Sequence, residues 1–254
     1  MQKILFLLLF VSTLNSFAQY DDKWKEVYKY ELDGKIKSAQ EEVEEIYKKA
    51  KRKKEEVQII KCFFYLSKFE QVFDEKAQTT IIHNIQKEIN EAKPVSKALL
   101  HYIYINILEE YYNRNRYTIK KRTNLENQKN TDFLTWTEDD FKAQIEKNYN
   151  QLLLNENDLR SVNLDKFKDI FDISPSVDDK NYSIYEFLSQ KSCNYYKSRI
   201  VSWRLKKSTD FENDIKIFYT NPNSFVNFDS KKLEDENLRK LISIFQKNEK
   251  YYLD

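Results

Sequence analysis

Two histidines, two cysteines and a few clustered carboxylates are the side chains from which this sequence could build catalysis. His83 and His101 belong to no HExxH pattern or other metal-ligand spacing. His101 opens the apolar run HYIYINIL, which predicts a place at the edge of a helical core or on a helix surface. Cys62 or Cys193 could pair with either histidine as nucleophile and base, but no spacing brings them together. Paired carboxylates can hydrolyse glycosides, and the candidates are Glu138, Asp139, Asp140, Asp178 and Asp179. The first three follow Thr137 in the manner of a capping box, with Thr137 as N-cap and Asp140 at the third helical position. The other two sit in the polar stretch DISPSVDDKNYS. Helix capping and a solvated loop account for all five. No catalytic, metal-binding or cofactor-binding residue is assigned, no cofactor is expected, and the reading is of a protein that is not an enzyme.

Binding chemistry has two candidate surfaces. NRNRYTIKKR (113–122) sets Arg114, Arg116, Lys120, Lys121 and Arg122 beside Tyr117, a mixture that could grip a phosphate backbone. The chain, however, carries Lys+Arg 43 against Asp+Glu 41, a net charge of +2. Such a balance gives no global attraction to nucleic acid, and none is expected as a partner. Cations also suit the C-terminal end of a helix, which is the simpler reading. The second surface is the apolar face of the last helix, with Leu238, Leu241, Ile242 and Phe245. Both are carried forward as places where a protein partner or a second copy could bind.

The elements that must position these residues are helices. Apolar residues recur at steps of three and four at Ile36, Ala39, Val43, Ile46 and Ala50, and again at Ile59, Phe63, Leu66, Phe69 and Phe73. The cluster KRKKEE (51–56) marks the turn between the two. A first helix carries Trp24, Val27, Tyr28 and Leu32 and stops at Gly34, a natural left-handed cap. Further helices are predicted over about 75–92, from Pro94 to about 117, from Thr137 to about 154, near 164–171, around 183–206 and over about 232–249. The region FYTNPNSFVNFDS (218–230) reads as a loop, as does 123–136, taken as a connector between halves at 19–122 and 137–254. The second half is expected to pack on the first and to be incomplete at its end. Gly34 is the one glycine, so dinucleotide, phosphate-loop and nucleophile-elbow motifs are impossible and tight β-hairpins disfavoured. The fold class is all-α, an irregular solenoid-like stack of helical hairpins with roughly eight or nine helices, without a tetratricopeptide period.

The first 18 residues predict an export signal: Lys3, the apolar run Ile4 to Val11, and Ser16-Phe17-Ala18 before Gln19. Cleavage near Ala18 would leave a mature chain that is soluble in the periplasm or outside the cell, with no transmembrane segment expected. Export permits a disulfide, but two cysteines so far apart are expected to remain separate thiols.

YDDKWKEVYKYELDGKIKSAQEEVEEIYKKAKRKKEEVQIIKCFFYLSKFE resembles the start of the large exported alpha-2-macroglobulin family proteins of Bacteroidetes. The likeness is carried by Trp24, Lys25, Val27, Gly34, Lys37, Ser38, Ala39, Ile46, Tyr47, Ala50, Gln58, Ile60 and Lys61. KALLHYIYINILEEYYNRNRYTIKKRT, DFLTWT and YSIYEFLSQKS resemble later landmarks. The resemblance implies export, a helical N-terminal module and a role in association. It does not extend to the β-sandwich domains of that family. Cys62 is followed by Phe-Phe and Cys193 by Asn-Tyr, so thioester trapping of proteases is not implied. The expected function is a non-catalytic exported helical module with a scaffold or protein-interaction role. The alternatives are a solenoid-type adaptor that binds peptides or proteins of the cell envelope and, more distantly, a small exported hydrolase.

Overall fold

The computed structural model describes residues 20–69, 75–122, 132–171, 182–200 and 221–253. These residues form ten helices and no strand; their one β-bridge is the isolated pair Asn163–Ser183. The all-α class expected from the apolar spacing is what the chain adopts. No helix among the described residues is long and apolar enough to cross a membrane. The expected export signal, Phe73, Asp178, Asp179, Trp203 and most of the expected connector lie outside the described residues. The chain divides into two compact units, Met1–Gln151 with Lys166–Pro175, and Leu152–Asp165 with Ser176–Asp254.

The first unit contains α1 (20–32), α2 (Ile36–Lys53), α3 (Glu56–Phe69), α4 (Glu75–Glu91), α5 (Pro94–Ile119) and α6 (Glu138–Tyr149). α5 lies at its centre: α3, α4 and α6 all pack on it, and α2 packs on α3. That position explains why the middle of α5, from Ala98 to Leu108, buries residues on several sides rather than along one stripe. Ala39, Val43, Ile46 and Ala50 of α2 are buried, as are Ile59, Phe63, Leu66 and Phe69 of α3, as their periodicity predicts. Leu32 departs from expectation. It is 89% exposed, because α1 ends there and the chain turns at once.

Both turns around α2 are left-handed caps. Gly34 has φ 71°, with the Lys35 N–H donating to the Tyr30 carbonyl at 2.8 Å. Lys54 has φ 56°, the only positive φ among described non-glycine residues, and the Glu55 N–H reaches back to the Ala50 carbonyl at 3.0 Å. Closing a helix this way with a side-chain-bearing residue costs about 1 kcal/mol relative to glycine. α5 opens on Pro94, where no N–H is needed. α6 opens on the complete Thr137–Asp140 capping box.

The second unit contains α7 (Glu156–Arg160), α8 (Ile184–Arg199), α9 (Pro222–Val226) and α10 (Glu236–Leu253). α10 packs on α8 and buries Leu238, Leu241 and Ile244. Its start is set by Asp235, whose carboxylate accepts the Leu238 N–H at 3.0 Å. α8 begins with a second capping box, Ser183 with Glu186. The loop expected at 218–230 holds the short helix α9, because the Asn221 side chain caps Asn223 and Pro222 fits the first turn. The short helix expected near 164–171 is a 3-10 helix, Leu164–Phe167, followed by a turn.

Candidate functional site

The ends of four helices meet at one end of the first unit, and their side chains enclose a cleft. α2 supplies Lys51 from its last turn, where a cation suits the helix dipole. α4 supplies Glu88 and Glu91, α3 supplies Glu56, and α5 supplies Lys93 and Ser96. Ile59, Ile60 and Leu100 form the apolar part of the wall. The enclosed volume is about 320 Å³.

Two polar groups tie these ends together. The Lys51 ammonium donates to both oxygens of Glu88, each at 2.7 Å, and to Glu91 at 2.8 Å. The Tyr47 hydroxyl also donates to Glu88, at 3.1 Å. The Glu88 side chain is only 7% exposed, so its charge depends on these donors. Burial pulls the Lys51 ammonium down, but hydrogen bonds to Glu88 and Glu91 outweigh it and hold the pKa above the ordinary lysine value. On the opposite side, Glu56 accepts from Lys93 at 2.9 Å and from the Ser96 hydroxyl at 2.8 Å. Burial raises the Glu56 carboxyl, while Lys93 and Ser96 more than offset it and hold it below the usual range. Lysine at the N-terminus of α5 and glutamates at the C-terminus of α4 both oppose the helix dipoles. Their partners on α3 and α2 compensate, so the charges cross-link helices rather than cap them.

The arrangement offers a concave surface with aliphatic and ionic walls. The histidines play no part in it. His83 is exposed on α4. His101 lies at the α5–α6 contact with Nδ1 2.6 Å from the Asn148 side-chain oxygen. The Asn148 amide already donates to the Gln144 carbonyl, so His101 is the donor in that pair. Burial pushes its pKa down and keeps it neutral. Cys62 and Cys193 are both free thiols, as expected. Burial raises both, Cys62 strongly and Cys193 to about 11. Glu138 is held by Lys142 at 2.8 Å, and Asp140 belongs to its capping box. No three His, Cys, Asp or Glu side chains among the described residues converge as a metal site.

The two candidate surfaces are rearranged by the fold. Along 113–122 the cations disperse. Arg114 approaches Glu110 at 4.0 Å, Lys121 sits 4.0 Å over the Tyr117 ring, and Arg122 donates to the Trp136 carbonyl at 2.8 Å. Arg116 and Lys120 stay exposed, and Tyr117 is 77% exposed. On α10, Leu238 and Leu241 face inward and Ile242 is half-buried, whereas Phe245 is exposed. Tyr252, seven residues on, extends that exposed face, and Tyr251 is half exposed beside it on the turn. Tyr251 also covers Arg160, whose guanidinium lies 4.0 Å from its ring and 3.8 Å from that of Tyr185. Arg160 further donates to Glu156 at 2.9 Å and Asn248 at 3.1 Å.

Comparison of the chain with protein-family models, with curated proteins and with solved structures returns no match.

Proposed function

We propose that the protein is a non-catalytic, exported helical module that holds an extended segment of a partner protein in the cleft between the ends of α2, α3, α4 and α5. The observation that carries this reading is the cleft of about 320 Å³, with an aliphatic wall and ionic cross-links on two sides. A surface of that kind suits a polypeptide: the wall takes side chains, and the rim meets backbone and polar groups. Export rests on the leader, and a role in association accords with the resemblance to macroglobulin N-terminal regions.

The test is binding of a panel of short extended peptides to the purified mature protein by isothermal titration. Ala92 is half-buried in the wall, and Ala92→Trp would fill the mouth without touching an ion pair. Peptide binding that disappears in this variant is the expected result. Absence of binding to every peptide, or binding indifferent to Ala92→Trp, sinks the reading.

A second reading, self-association through α10, is favoured by one observation. Phe245, Tyr251, Tyr252 and Leu253 are each about half exposed or more. Sedimentation equilibrium of wild type against Phe245→Glu/Tyr252→Glu decides it: a monomer at all concentrations removes this alternative.

A further inference from the structure

We infer that the cleft selects segments carrying a carboxylate, which it grips at a second, basic lobe beside the aliphatic one. The inference rests on reading the cleft as a peptide site and adds the chemistry of what it prefers. A further cavity of about 310 Å³ adjoins the first and shares Lys54, Glu56 and Lys93 with it. Its other walls include Tyr20, Val57 and Lys166.

The charges of this lobe are unevenly matched. Three lysines, Lys54, Lys93 and Lys166, and two glutamates, Glu55 and Glu56, border it. Glu56 is taken by Lys93 and Ser96. Lys54 and Lys166 are both exposed at its lip, and neither has a carboxylate within ion-pair distance among the described residues. Lys54 holds its place in the left-handed conformation where glycine would be strain-free, so an ammonium stands at the boundary of both lobes. Tyr20 is 1% exposed, and its hydroxyl makes no hydrogen bond of good geometry. Burial, then a hydrogen-bonding and charge interaction with Glu55, raises its pKa, so the hydroxyl faces Glu55 as a neutral group. Lys49 lies over the same ring at 4.9 Å.

An extended chain places alternate side chains on opposite sides. A segment lying across both lobes can therefore set an aliphatic side chain against Ile59, Ile60 and Leu100 and turn a carboxylate toward Lys54 and Lys166. The carboxylate can be that of a Glu or Asp side chain or that of a chain terminus. The shared chemistry is an anionic oxygen pair next to an aliphatic group.

The experiment uses the full mature chain and four probes: Ac-Leu-Ser-Leu-Glu-Ser-NH2, its Gln and Lys counterparts, and Ac-Leu-Ser-Leu-Ser with a free carboxylate. The Glu peptide, the free-carboxylate peptide or both should bind about fivefold or more tighter than the Gln peptide at low salt, with the advantage shrinking as salt rises. Which of the two prevails identifies a side chain or a chain end as the source. Lys54→Glu/Lys166→Glu should abolish the advantage. Lys54→Gly, which relieves the backbone while removing the charge, should reduce it in a protein at least as stable as the wild type. Affinity for the Gln peptide equal to that of both carboxylate peptides, or an advantage unchanged in the double variant, overturns the inference. In that event peptide binding that still vanishes in Ala92→Trp leaves the module reading standing. Failure of every probe to bind sinks both.

Discussion

Lys51→Met is the perturbation that tests most directly how the cleft is held together. The variant keeps the stem of the side chain and removes one ammonium, with three hydrogen bonds of 2.7, 2.7 and 2.8 Å. Glu88 is left 7% exposed, with only the Tyr47 hydroxyl at 3.1 Å among those donors. Stranding one partner of a fully buried pair costs about 3–5 kcal/mol. Lys51 itself is 35% exposed and opens on the cleft, so water can reach the vacated position. That solvation lowers the expected loss to about 2–3 kcal/mol. Urea unfolding followed by fluorescence is the assay, in a Trp203→Phe background so that Trp24 and Trp136 both report on the first unit. The midpoint should fall by roughly 1 M. Lys51→Met/Glu88→Gln removes the stranded charge and should recover most of the loss, giving a coupling of about 2 kcal/mol. A single variant that loses less than about 0.5 kcal/mol, or a double variant no better than the single, would refute the argument that Glu88 depends on Lys51.

Other outcomes are open to direct measurement. Gly34→Ala should cost about 1 kcal/mol in thermal or urea unfolding, all of it from the backbone at φ 71°, because an added Cβ meets nothing within 4 Å. Glu56 has a folded pKa below its unfolded value. Its contribution is therefore complete above the unfolded value near 4.3 and is lost as pH falls through the folded one. Glu56→Gln should accordingly flatten the decline in stability below about pH 4.3. Cys193, at about 11, should react with iodoacetamide at pH 8 far more slowly in the native protein than in urea, and Cys62 more slowly still, as mass spectrometry of the alkylated peptides would show. Arg160→Lys should fail to replace Arg160. A lysine cannot lie flat between the rings of Tyr185 and Tyr251, and hydrogen exchange in α8 and α10 should quicken in this variant as it does in Arg160→Ala.

The helices were legible because burial follows their period. The stripes of α2 and α3 are buried where the spacing of their apolar residues places them, and Thr137 caps α6 with the partner its sequence offers. Similar local signals were there to be read elsewhere: Ser183 with Glu186 opens α8, where a helix is expected, and Asn221-Pro222 opens α9, where a loop is expected. The cleft was not legible, because it is made by ends rather than faces. KRKKEE reads as a solvated turn, but the turn itself is Lys54-Glu55, and only Arg52, Lys53 and Lys54 are exposed. Only the left-handed turn at Lys54 and the course of α4 and α5 bring Lys51 to Glu88, 37 residues later, and Glu56 to Ser96, 40 residues later. Arg160 is a similar case. In the five-residue ENDLR helix it looks like a surface cation, and it is enclosed only because Tyr251, Tyr185 and Asn248 arrive from α10 and α8.

The ionic character of the cleft also follows from its size. An empty apolar cavity destabilises a fold by about 24 cal/mol per Å³. At about 320 Å³ a dry, aliphatic void would cost about 8 kcal/mol, comparable to the entire net stability of a domain. Helices free to slide would close such a space. Here the rim consists of groups that need water or a counter-charge, and Lys51–Glu88 and Lys93–Glu56 fix α2 to α4 and α3 to α5 at its edges. A hydrated space with charged walls escapes most of the penalty, so the four helix ends can stand apart without a ligand. A segment entering the cleft then exchanges water for side chains instead of prying open a core. On the proposed reading, such a segment would need no rearrangement of α2–α5, and the Lys51–Glu88 and Lys93–Glu56 pairs would stay in place at the edges.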